Sequence, residues 1–320
     1  MKVFYQIGSL KEIKIEELEK KLSIIKNDEA YKDHLDINRI EETINAYKKT
    51  AYQSLSAYDH VYLARKTERP HIHDYINNLF DDFFEMHGDR YFKDDQAIVG
   101  GIAYFHHIPV TIIGHQKARN LQDNMKCQFG MASPEGYRKA IRLMKQAEKF
   151  HRPVITFIDT PGAYPGIHAE ENGIGEAIGQ SLMMMSSLKV PIIVFVAGEG
   201  GSGGALALSI GNYIAMMENA VYSVLSPEGF SSILWKDVKG ERIEEACEVM
   251  KLTASHLLEY SIIDEIIPEA PGGIQNNPAY SYRKMRNILF DQLERLTRLS
   301  ENQLINERYK KYRKIGEIYE

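Results

Sequence analysis

The stretch VPIIVFVAGEGGSGGALAL, residues 190–208, joins the longest apolar run of the chain to a glycine-rich segment. Its first part, residues 190–198, has the length of a strand, and its Ile and Val content is typical of a strand buried on both faces of a parallel sheet. The glycines predict a turn where the backbone approaches another group closely, and the residues after them predict a helix. This strand–turn–helix unit favours an α/β fold.

The same alternation of strands and helices extends on both sides of this unit. Strands are predicted at residues 97–105, 109–114, 154–159, 191–197, 213–217 and 221–225. Helices are predicted at residues 72–86, 134–150, 173–188, 205–210, 232–235, 243–250, 254–260 and 279–299. The last twenty residues are highly charged and predict a solvated terminal helix. We therefore expect a parallel α/β region followed by a helical C-terminal part.

The first 66 residues have a different pattern, which predicts two helices at about residues 10–25 and 40–62. In the second helix apolar residues recur every three or four positions and form one stripe, and Asp36 or Asn38 can cap its start. Neither helix can bury its stripe alone. We therefore predict a helical hairpin at residues 1–66, packed within the assembly, and a second domain at residues 67–320.

Composition excludes several classes of protein. The 320 residues include 39 Lys and Arg against 44 Asp and Glu, a formal charge of −5, which argues against a nucleic-acid partner. The two cysteines, Cys127 and Cys247, are too few for a disulfide scaffold and too far apart for a CxxC metal site. No apolar run reaches about 18 residues, so neither a membrane span nor a membrane partner is expected. Charges near the N-terminus argue against a signal peptide, so we expect a cytoplasmic protein.

The glycine-rich segment 198–204 allows three interpretations. Free amides at the start of the following helix can hold an anion, either a phosphate or a developing oxyanion. Gly198, Gly200 and Gly203 also match the dinucleotide fingerprint GxGxxG, and Glu218 stands where a ribose-binding acid is expected. However, at least four strands precede the motif and few follow it. The third interpretation is that the glycines only permit close packing of helix on strand.

A second turn, DTPG at residues 159–162, follows another predicted strand. GTPases share this string, but the chain contains no Gly-Lys pair and therefore no P-loop. The turn offers the amides of Gly162 and Ala163 at the carboxyl end of a parallel strand, where ligands of such sheets bind. Gly100 and Gly101 lie inside a predicted strand and indicate a bulge or a close backbone approach.

Few side chains form a catalytic pattern. Glu170 and Glu171 could act in acid–base chemistry or be solvated, and the basic loop at residues 114–119 could meet an anionic substrate or pair structurally. The chain offers no placed His–Asp pair for Ser202, and the histidines are not spaced with carboxylates as metal ligands. The pattern indicates a site built from backbone amides, suited to stabilising an oxyanion such as an enolate or imidate.

Eight motifs occur in order between residues 68 and 277. They are GDRYFKDDQAIVGGIA, GHQKAR, FGMASPEGYRKAIRLM, ITFIDTPGAYPGI, AEENG, GEGGSGGALAL, YSVLSPEGFSSILWKD and IIDEIIPEAPGG. Together they resemble the α-subunit family of bacterial-type acetyl-CoA carboxylase carboxyltransferases. The resemblance implies a crotonase-like (ClpP/crotonase) α/β fold, in which ββα units form a spiral, with a carboxyltransferase domain at residues about 34–294.

The resemblance also implies an activity and an assembly. The family transfers the carboxyl group of carboxybiotin to acetyl-CoA and forms malonyl-CoA for fatty acid biosynthesis. The α subunit acts only with a β subunit, as α2β2, and the β subunit carries a zinc ribbon, so no metal is expected on this chain. The biotin is presented by a separate biotin carboxyl carrier protein and is loaded by biotin carboxylase.

The family's oxyanion hole for carboxybiotin falls on Gly203 and Gly204, whose amides would stabilise negative charge on the biotin ureido oxygen. Further residues expected to line the substrate site are Gly200, Gly201, Gly162 and Ala163. The chain departs from the family pattern at Ala118, His168, Asn172 and Phe230, none of which lies in GEGGSGG. A propionyl-CoA carboxyltransferase, an NAD-dependent oxidoreductase and a non-catalytic assembly protein are the alternatives.

Overall fold

The computed structural model describes residues 10–27 and 36–317. Two N-terminal helices, α1 (Leu10–Asn27) and α2 (Ile37–Ala51), pack on each other as expected. Asp36 caps α2, because its carboxylate accepts a hydrogen bond of 3.1 Å from the N–H of Arg39. The predicted connection at residues 26–36 lies mostly outside the described residues.

The second predicted helix is divided in two by the structure. Helix α2 ends at Ala51, and a separate helix, α3 (Ala57–Ala64), begins after Ser56. Ser56 and Asp59 form a reciprocal capping box, with the Ser56 N–H 2.7 Å from the Asp59 carboxylate, and this cap starts the new helix. Apolar residues of α3 pack into a small core with Val221, Cys247 and Leu252. The last part of the predicted hairpin therefore contacts the α/β region.

The remaining elements form the α/β part and the helical C-terminal part. In chain order they are α4 (Ile72–Leu79), β1 (Asp81–Glu85), β2 (Ile98–Phe105), β3 (Ile108–His115), α5 (Leu121–Lys126), α6 (Pro134–Lys149), β4 (Val154–Thr160), α7 (Ile167–Glu171), α8 (Ile174–Ser187), β5 (Ile192–Gly201), α9 (Ser202–Leu206), β6 (Tyr213–Met217), β7 (Val221–Ser223), α10 (Pro227–Trp235), α11 (Ile243–Met250), α12 (Ala254–Glu259), β8 (Glu265–Ile267), α13 (Pro278–Leu296) and α14 (Glu301–Lys314). Short 3-10 turns occur at Gln128–Gly130 and Ile274–Asn276.

The strands form one sheet in the order β1-β2-β3-β4-β5-β6-β8, and β7 pairs with the end of β5. The pairs β1/β2 and β2/β3 are antiparallel, and the pairs from β3 to β8 are parallel. The strand order follows the chain without reversal. A doubly wound dinucleotide-binding sheet reverses its order at a switch point, so this topology argues against the GxGxxG interpretation.

The six predicted strands are confirmed, and β5 runs four residues further than expected, into the glycine segment. The structure differs at residues 72–86, where the predicted helix ends at Leu79 and β1 follows. Strand β1 pairs with β2 beside Gly101, where a Cβ atom would lie 2.1 Å from the carbonyl oxygen of Phe84. Gly101 is therefore the predicted point of close backbone approach.

Helices cover the sheet and bury its central strands. Every residue of β4 and β5 is buried, and α6 packs on β2, β3 and α8. The terminal helix α14 is docked rather than wholly solvated: Leu304 and Arg308 are buried, and the Arg308 guanidinium lies 2.6 Å from Oδ1 of Asn212. Within the described ranges, no helix combines the length and the apolar character needed to cross a membrane.

Candidate functional site

The two glycine turns predicted from the sequence lie against each other at the carboxyl ends of β4 and β5. A Cβ atom on Gly201 would lie 2.1 Å from the carbonyl oxygen of Pro161. A Cβ atom on Gly204 would lie 2.5 Å from the amide nitrogen of Ala163 and 2.6 Å from the carbonyl carbon of Gly162. Both contacts are far below van der Waals distance, so glycine is required at both positions. Gly201, Gly204, Gly162 and Ala163 are thus brought together.

The helix α9 begins inside the glycine run and not after it. Gly203 and Gly204 lie in its first turn, where amides have no acceptor within the helix, and no side chain in the described part of the chain caps this end. The helix has only five residues, which is much shorter than the expected segment and leaves little macrodipole. Any affinity for negative charge at this turn must therefore come from the individual N–H groups.

The open side of this junction lies at Gly203 and Gly162. The atoms nearest to a Cβ on Gly203 would be methyl groups of Ile178, at 3.7 and 3.8 Å. Apart from its chain neighbours, no described residue has an atom within 4 Å of a Cβ on Gly162. The Gly162 amide is already occupied, because it donates to Oγ1 of Thr160 at 3.1 Å. No hydrogen bond from the Ala163 N–H to another described residue is present, so this amide is the free donor of the DTPG turn.

Ser202 and Gly200 complete the turn. Ser202 has a φ of 53° and an exposed side chain, and a left-handed serine is a strained conformation of the kind that concentrates at functional sites. Its hydroxyl makes no hydrogen bond to another described residue, which gives no support to a serine hydrolase. Gly200 makes room for the ring of Tyr222, whose Cδ2 atom lies 2.6 Å from the Cβ position.

A buried cluster of charges lies directly behind the two turns. Nζ of Lys117 lies 2.7 Å from Oδ1 of Asp159 and 2.9 Å from Oε2 of Glu199. Burial alone would raise the pKa of Glu199, but Lys117 and Arg65 outweigh it and lower that pKa to about 2. Burial opposes the charge of Lys117 as well, yet Asp159 and Glu199 raise its pKa. Lys117 and Glu199 therefore stay ionised at neutral pH.

Arg65, which follows α3, extends this cluster to α10. Its Nε atom lies 2.7 Å from Oε1 of Glu199, and its Nη1 atom lies 2.6 Å from Oε1 of Glu228. The sequence pattern indicated that the basic loop carrying Lys117 could either meet an anionic substrate or pair structurally, and the structure shows Lys117 in a structural ion pair. The predicted parallel sheet was the sequence signal that could have indicated this cluster, because the carboxyl ends of neighbouring parallel strands lie side by side.

Two further glycines are explained by this cluster. A Cβ atom on Gly198 would lie 2.5 Å from Oδ1 of Asp159. A Cβ atom on Gly130, which has a φ of +80°, would lie 3.1 Å from Cγ of Lys117 and 2.9 Å from the Asp159 carbonyl oxygen. Gly198, the first glycine of the apparent GxGxxG motif, therefore accommodates a carboxylate of the protein itself.

A second buried ion pair joins the start of α4 to the end of β8. The guanidinium of Arg69 makes two 2.9 Å hydrogen bonds to Glu269 and one of 2.8 Å to the carbonyl oxygen of Ala197, just before the glycine segment. Glu218 accepts a 2.8 Å hydrogen bond from the N–H of Glu269. Glu218 therefore serves this connection, which argues further against a ribose-binding role.

Other predicted side chains lie away from the junction. Glu170 and Glu171 are exposed, as the solvated interpretation expected, and Arg119 pairs with Asp74 at 2.7 Å. Over residues 10–27 and 36–317, no three His, Cys, Asp or Glu side chains are arranged to hold a metal ion. The absence of a metal on this chain stays a prediction.

Three buried polar side chains near the junction have no hydrogen-bond partner in the described part of the chain: His71, His115 and Tyr137. Burial lowers the pKa of His115 to about 4, so the imidazole is neutral at pH 7. The Tyr137 hydroxyl lies 2.9 Å from the Cβ position of Gly204. Burial, with Asp95 nearby, raises its pKa well above the ordinary value. His71 and Tyr137 were not predicted to belong to the site, whereas His115 belongs to the basic loop at residues 114–119, for which contact with an anionic substrate was one of the two predictions.

A comparison with known protein families shows to which family the chain belongs. The family described as "Acetyl co-enzyme A carboxylase carboxyltransferase-like" matches residues 10–316. The chain belongs to this carboxyltransferase family. It is 50% identical over 307 residues to the acetyl-coenzyme A carboxylase carboxyl transferase subunit alpha of Anoxybacillus flavithermus, covering 95% of this chain and 94% of the relative. It is 52% identical over 283 residues to the subunit of the same name from Halalkalibacterium halodurans, covering 88% and 86%.

Solved structures of carboxyltransferases share the fold. The 12S transcarboxylase superposes with a TM-score of 0.58 at 20% identity, over 74% of this chain and 44% of that one. The β subunit of geranyl-CoA carboxylase from P. aeruginosa superposes with a TM-score of 0.56 at 14% identity, over 80% and 45%. The chain thus spans less than half of each of these larger chains. The expected crotonase-like α/β fold is confirmed.

Proposed function

We propose that this carboxyltransferase-family chain is the α subunit of an acetyl-CoA carboxylase carboxyltransferase. With a β subunit it transfers the carboxyl group of carboxybiotin to acetyl-CoA and forms malonyl-CoA. The observation that carries the proposal is the contact between the two glycine turns, beside which the first-turn amides of α9 have no acceptor among the described residues. Hydrogen-bond donors held in this way are suited to a charge that develops during a reaction.

The carboxybiotin supplies the carboxyl group when bound, and the residues of this chain act through their backbone. The N–H groups of Gly203 and Gly204 would donate to the ureido oxygen as negative charge develops on it. Ala163, with its free amide, and the open position at Gly162 would line the approach. Gly200 and Gly201 would support this surface by letting the turns come close. One oxyanion-hole donor is typically worth about 3–4 kcal/mol of transition-state stabilisation.

The wider assignments follow from the same proposal. The chain would work as an α2β2 assembly in the cytoplasm, in fatty acid biosynthesis, with zinc on the β subunit. A biotin carboxyl carrier protein would present the biotin after biotin carboxylase has loaded it. The relatives named above are subunits called alpha, and the chain covers 94% and 86% of their length, which supports the assignment to a multi-subunit enzyme.

The decisive experiment is the reverse reaction, in which free biotin is carboxylated by malonyl-CoA and acetyl-CoA is detected. The chain is assayed alone and after assembly with the zinc-ribbon β subunit of the same organism. We expect activity only in the assembled mixture. Inactivity of a mixture that size-exclusion chromatography shows to be assembled would refute the acetyl-CoA assignment. Activity with methylmalonyl-CoA in place of malonyl-CoA would indicate propionyl-CoA chemistry.

A further inference from the structure

Backbone pairing alone does not fix how the two glycine turns meet. Strands β4 and β5 pair regularly up to Ile158 and Val196, and the next pair is Thr160 with Gly200. Strand β5 therefore advances four residues while β4 advances two, so the ladder is interrupted directly before the turns. Some other interaction must set the position of Pro161 against Gly201.

Side-chain contacts bridge this interruption. The N–H of Glu199 donates to Oδ1 of Asp159 at 3.0 Å, which replaces a missing ladder bond. Lys117, two residues after the end of β3, contacts the same oxygen of Asp159 and the carboxylate of Glu199. One ammonium group thus connects the carboxyl ends of three adjacent strands.

The charge of Lys117 is needed for this arrangement. Asp159 and Glu199 are buried carboxylates held next to each other, and like charges in such a position repel strongly. Arg65 offsets one of them but also pairs with Glu228. Without Lys117, Asp159 would lose the ion pair described here, and Glu199 and Glu228 would share Arg65. Removing one partner of a buried ion pair leaves an uncompensated charge, which is strongly destabilising.

We propose that Lys117 is a positioning residue, whose charge holds Asp159 and Glu199 together and thereby sets the contact between the two glycine turns. The effect that we expect on the rate of carboxyl transfer rests on the proposed function. Lys117 acts through the backbone of the turns, since only 15% of its side chain is exposed and both of its partners are carboxylates of the protein.

The test uses Lys117→Met in the chain assembled with its β subunit. We expect the kcat of the reverse reaction to fall about 100-fold at pH 8, because small misplacements of reacting groups cost about that much. The KM for malonyl-CoA should change less than about threefold, because the proposed amides of this chain act on the biotin ureido oxygen and not on the acyl-CoA. The matched control is Lys126→Met, an exposed lysine 2.6 Å from Asp123, which should keep wild-type kinetics.

The pH profile separates a charge effect from a packing effect. Lys117 is the strongest of the groups that lower the pKa of Glu199, so its removal raises that pKa, and the activity of Lys117→Met relative to wild type should be higher at pH 6 than at pH 8. The double variant Lys117→Met/Glu199→Gln has no such carboxylate pair. Its loss of activity relative to wild type should therefore be similar at pH 6 and at pH 8. The groups that face the cluster are Arg65, Arg69, His71, Tyr75, His115 and Glu228. Burial lowers the pKa of His71, and it lowers the pKa of His115 to about 4, so His115 stays neutral over this range.

Chemical denaturation makes the test independent of activity. The denaturation midpoint of Lys117→Met should lie further below that of wild type at pH 8 than at pH 6. For the double variant, the decrease from wild type should be the same at both pH values. If the wild-type assembly shows no carboxyl transfer, the proposed function is wrong, while the denaturation midpoints still decide the role of Lys117. If Lys117→Met does not assemble, the double variant is assayed instead. Wild-type kcat in either variant, or a pH-independent deficit of Lys117→Met, would overturn the proposal.

Discussion

The backbone of Gly204 meets the amide nitrogen of Ala163 so closely that a Cβ atom on Gly204 would lie 2.5 Å from it. This contact joins two segments that are 41 positions apart in the sequence. It places the free amide of Ala163 beside the first turn of α9. Gly203 makes no such close contact, because the nearest atom to its Cβ position is 3.7 Å away. The two glycines therefore differ in the space around them, although the same oxyanion-hole role is proposed for both.

Alanine substitutions of these two glycines should therefore have different effects. Gly204→Ala must push the turns apart, so we expect it to lower the free energy of unfolding by about 1–3 kcal/mol and the activity by about 100-fold. Gly203→Ala has room for its methyl group and should keep the stability within about 1 kcal/mol of wild type. Its activity should still fall, because the methyl group would stand on the open side of the site. Urea denaturation and the reverse-reaction assay measure both effects, and full activity of Gly203→Ala would contradict direct contact at its amide.

The stability of the protein should decrease between pH 7 and pH 5 because of His115. Burial lowers its folded-state pKa to about 4, whereas the unfolded chain binds a proton near pH 6.5. The unfolded state thus binds more protons in this window, so stability is full above about pH 6.5 and is lost as the pH falls towards 4. The expected loss from this group is about 2 kcal/mol between pH 7 and pH 5. His115→Asn should reduce the shift of the urea midpoint, and an unchanged shift would refute this assignment.

The buried pair of Arg69 and Glu269 should be far more important for stability than an exposed pair of the same chemistry. Arg69→Met leaves a buried carboxylate without its partner, and we expect a loss of about 3–5 kcal/mol. The matched control is Arg298→Met, which removes the exposed i,i+4 pair with Glu294 on α13 and should cost less than about 0.5 kcal/mol. Thermal and urea unfolding compare the two variants, and equal losses would contradict the role given to Arg69.

Tyr137→Phe should leave the protein at least as stable as wild type. The Tyr137 hydroxyl is buried without a partner among the described residues, and a buried polar group without a hydrogen bond costs about 1–3 kcal/mol. Replacing it with hydrogen should therefore raise the urea midpoint. A clear decrease would show that the hydroxyl makes a hydrogen bond in solution, for example to a bound water near Gly204.

The positions of the central strands could be predicted well, because β4 and β5 carry dense runs of Ile and Val that only a sheet covered on both faces can bury. Strand β1 could not, since the sequence DDFFE has neither alternation nor β-branched residues, and it pairs only because β2 offers a glycine at position 101. Strand β8 has three residues, too few for any periodic pattern. Local sequence patterns therefore did not predict β1 and β8, whose strand structure depends on pairing with a neighbouring strand.

The candidate site was partly predictable for a similar reason. The glycines at 201 and 204 are visible in the sequence, but their purpose depends on Pro161 and Ala163, which only the fold brings near. The sequence also could not show that Gly162 has lost its free amide to Thr160, because that bond depends on the local turn geometry. The literal GxGxxG match was misleading, since Gly198 serves Asp159.

The ammonium group of Lys117 has a consequence for protein engineering. The glycine turn cannot be transplanted as a loop, because its shape depends on side chains from two other segments of the parent sheet. A graft onto a different parallel sheet would need the residues equivalent to Lys117, Asp159 and Glu199 together, on three neighbouring strands. A library that varies the three positions jointly should yield functional solutions that libraries varying one position at a time miss.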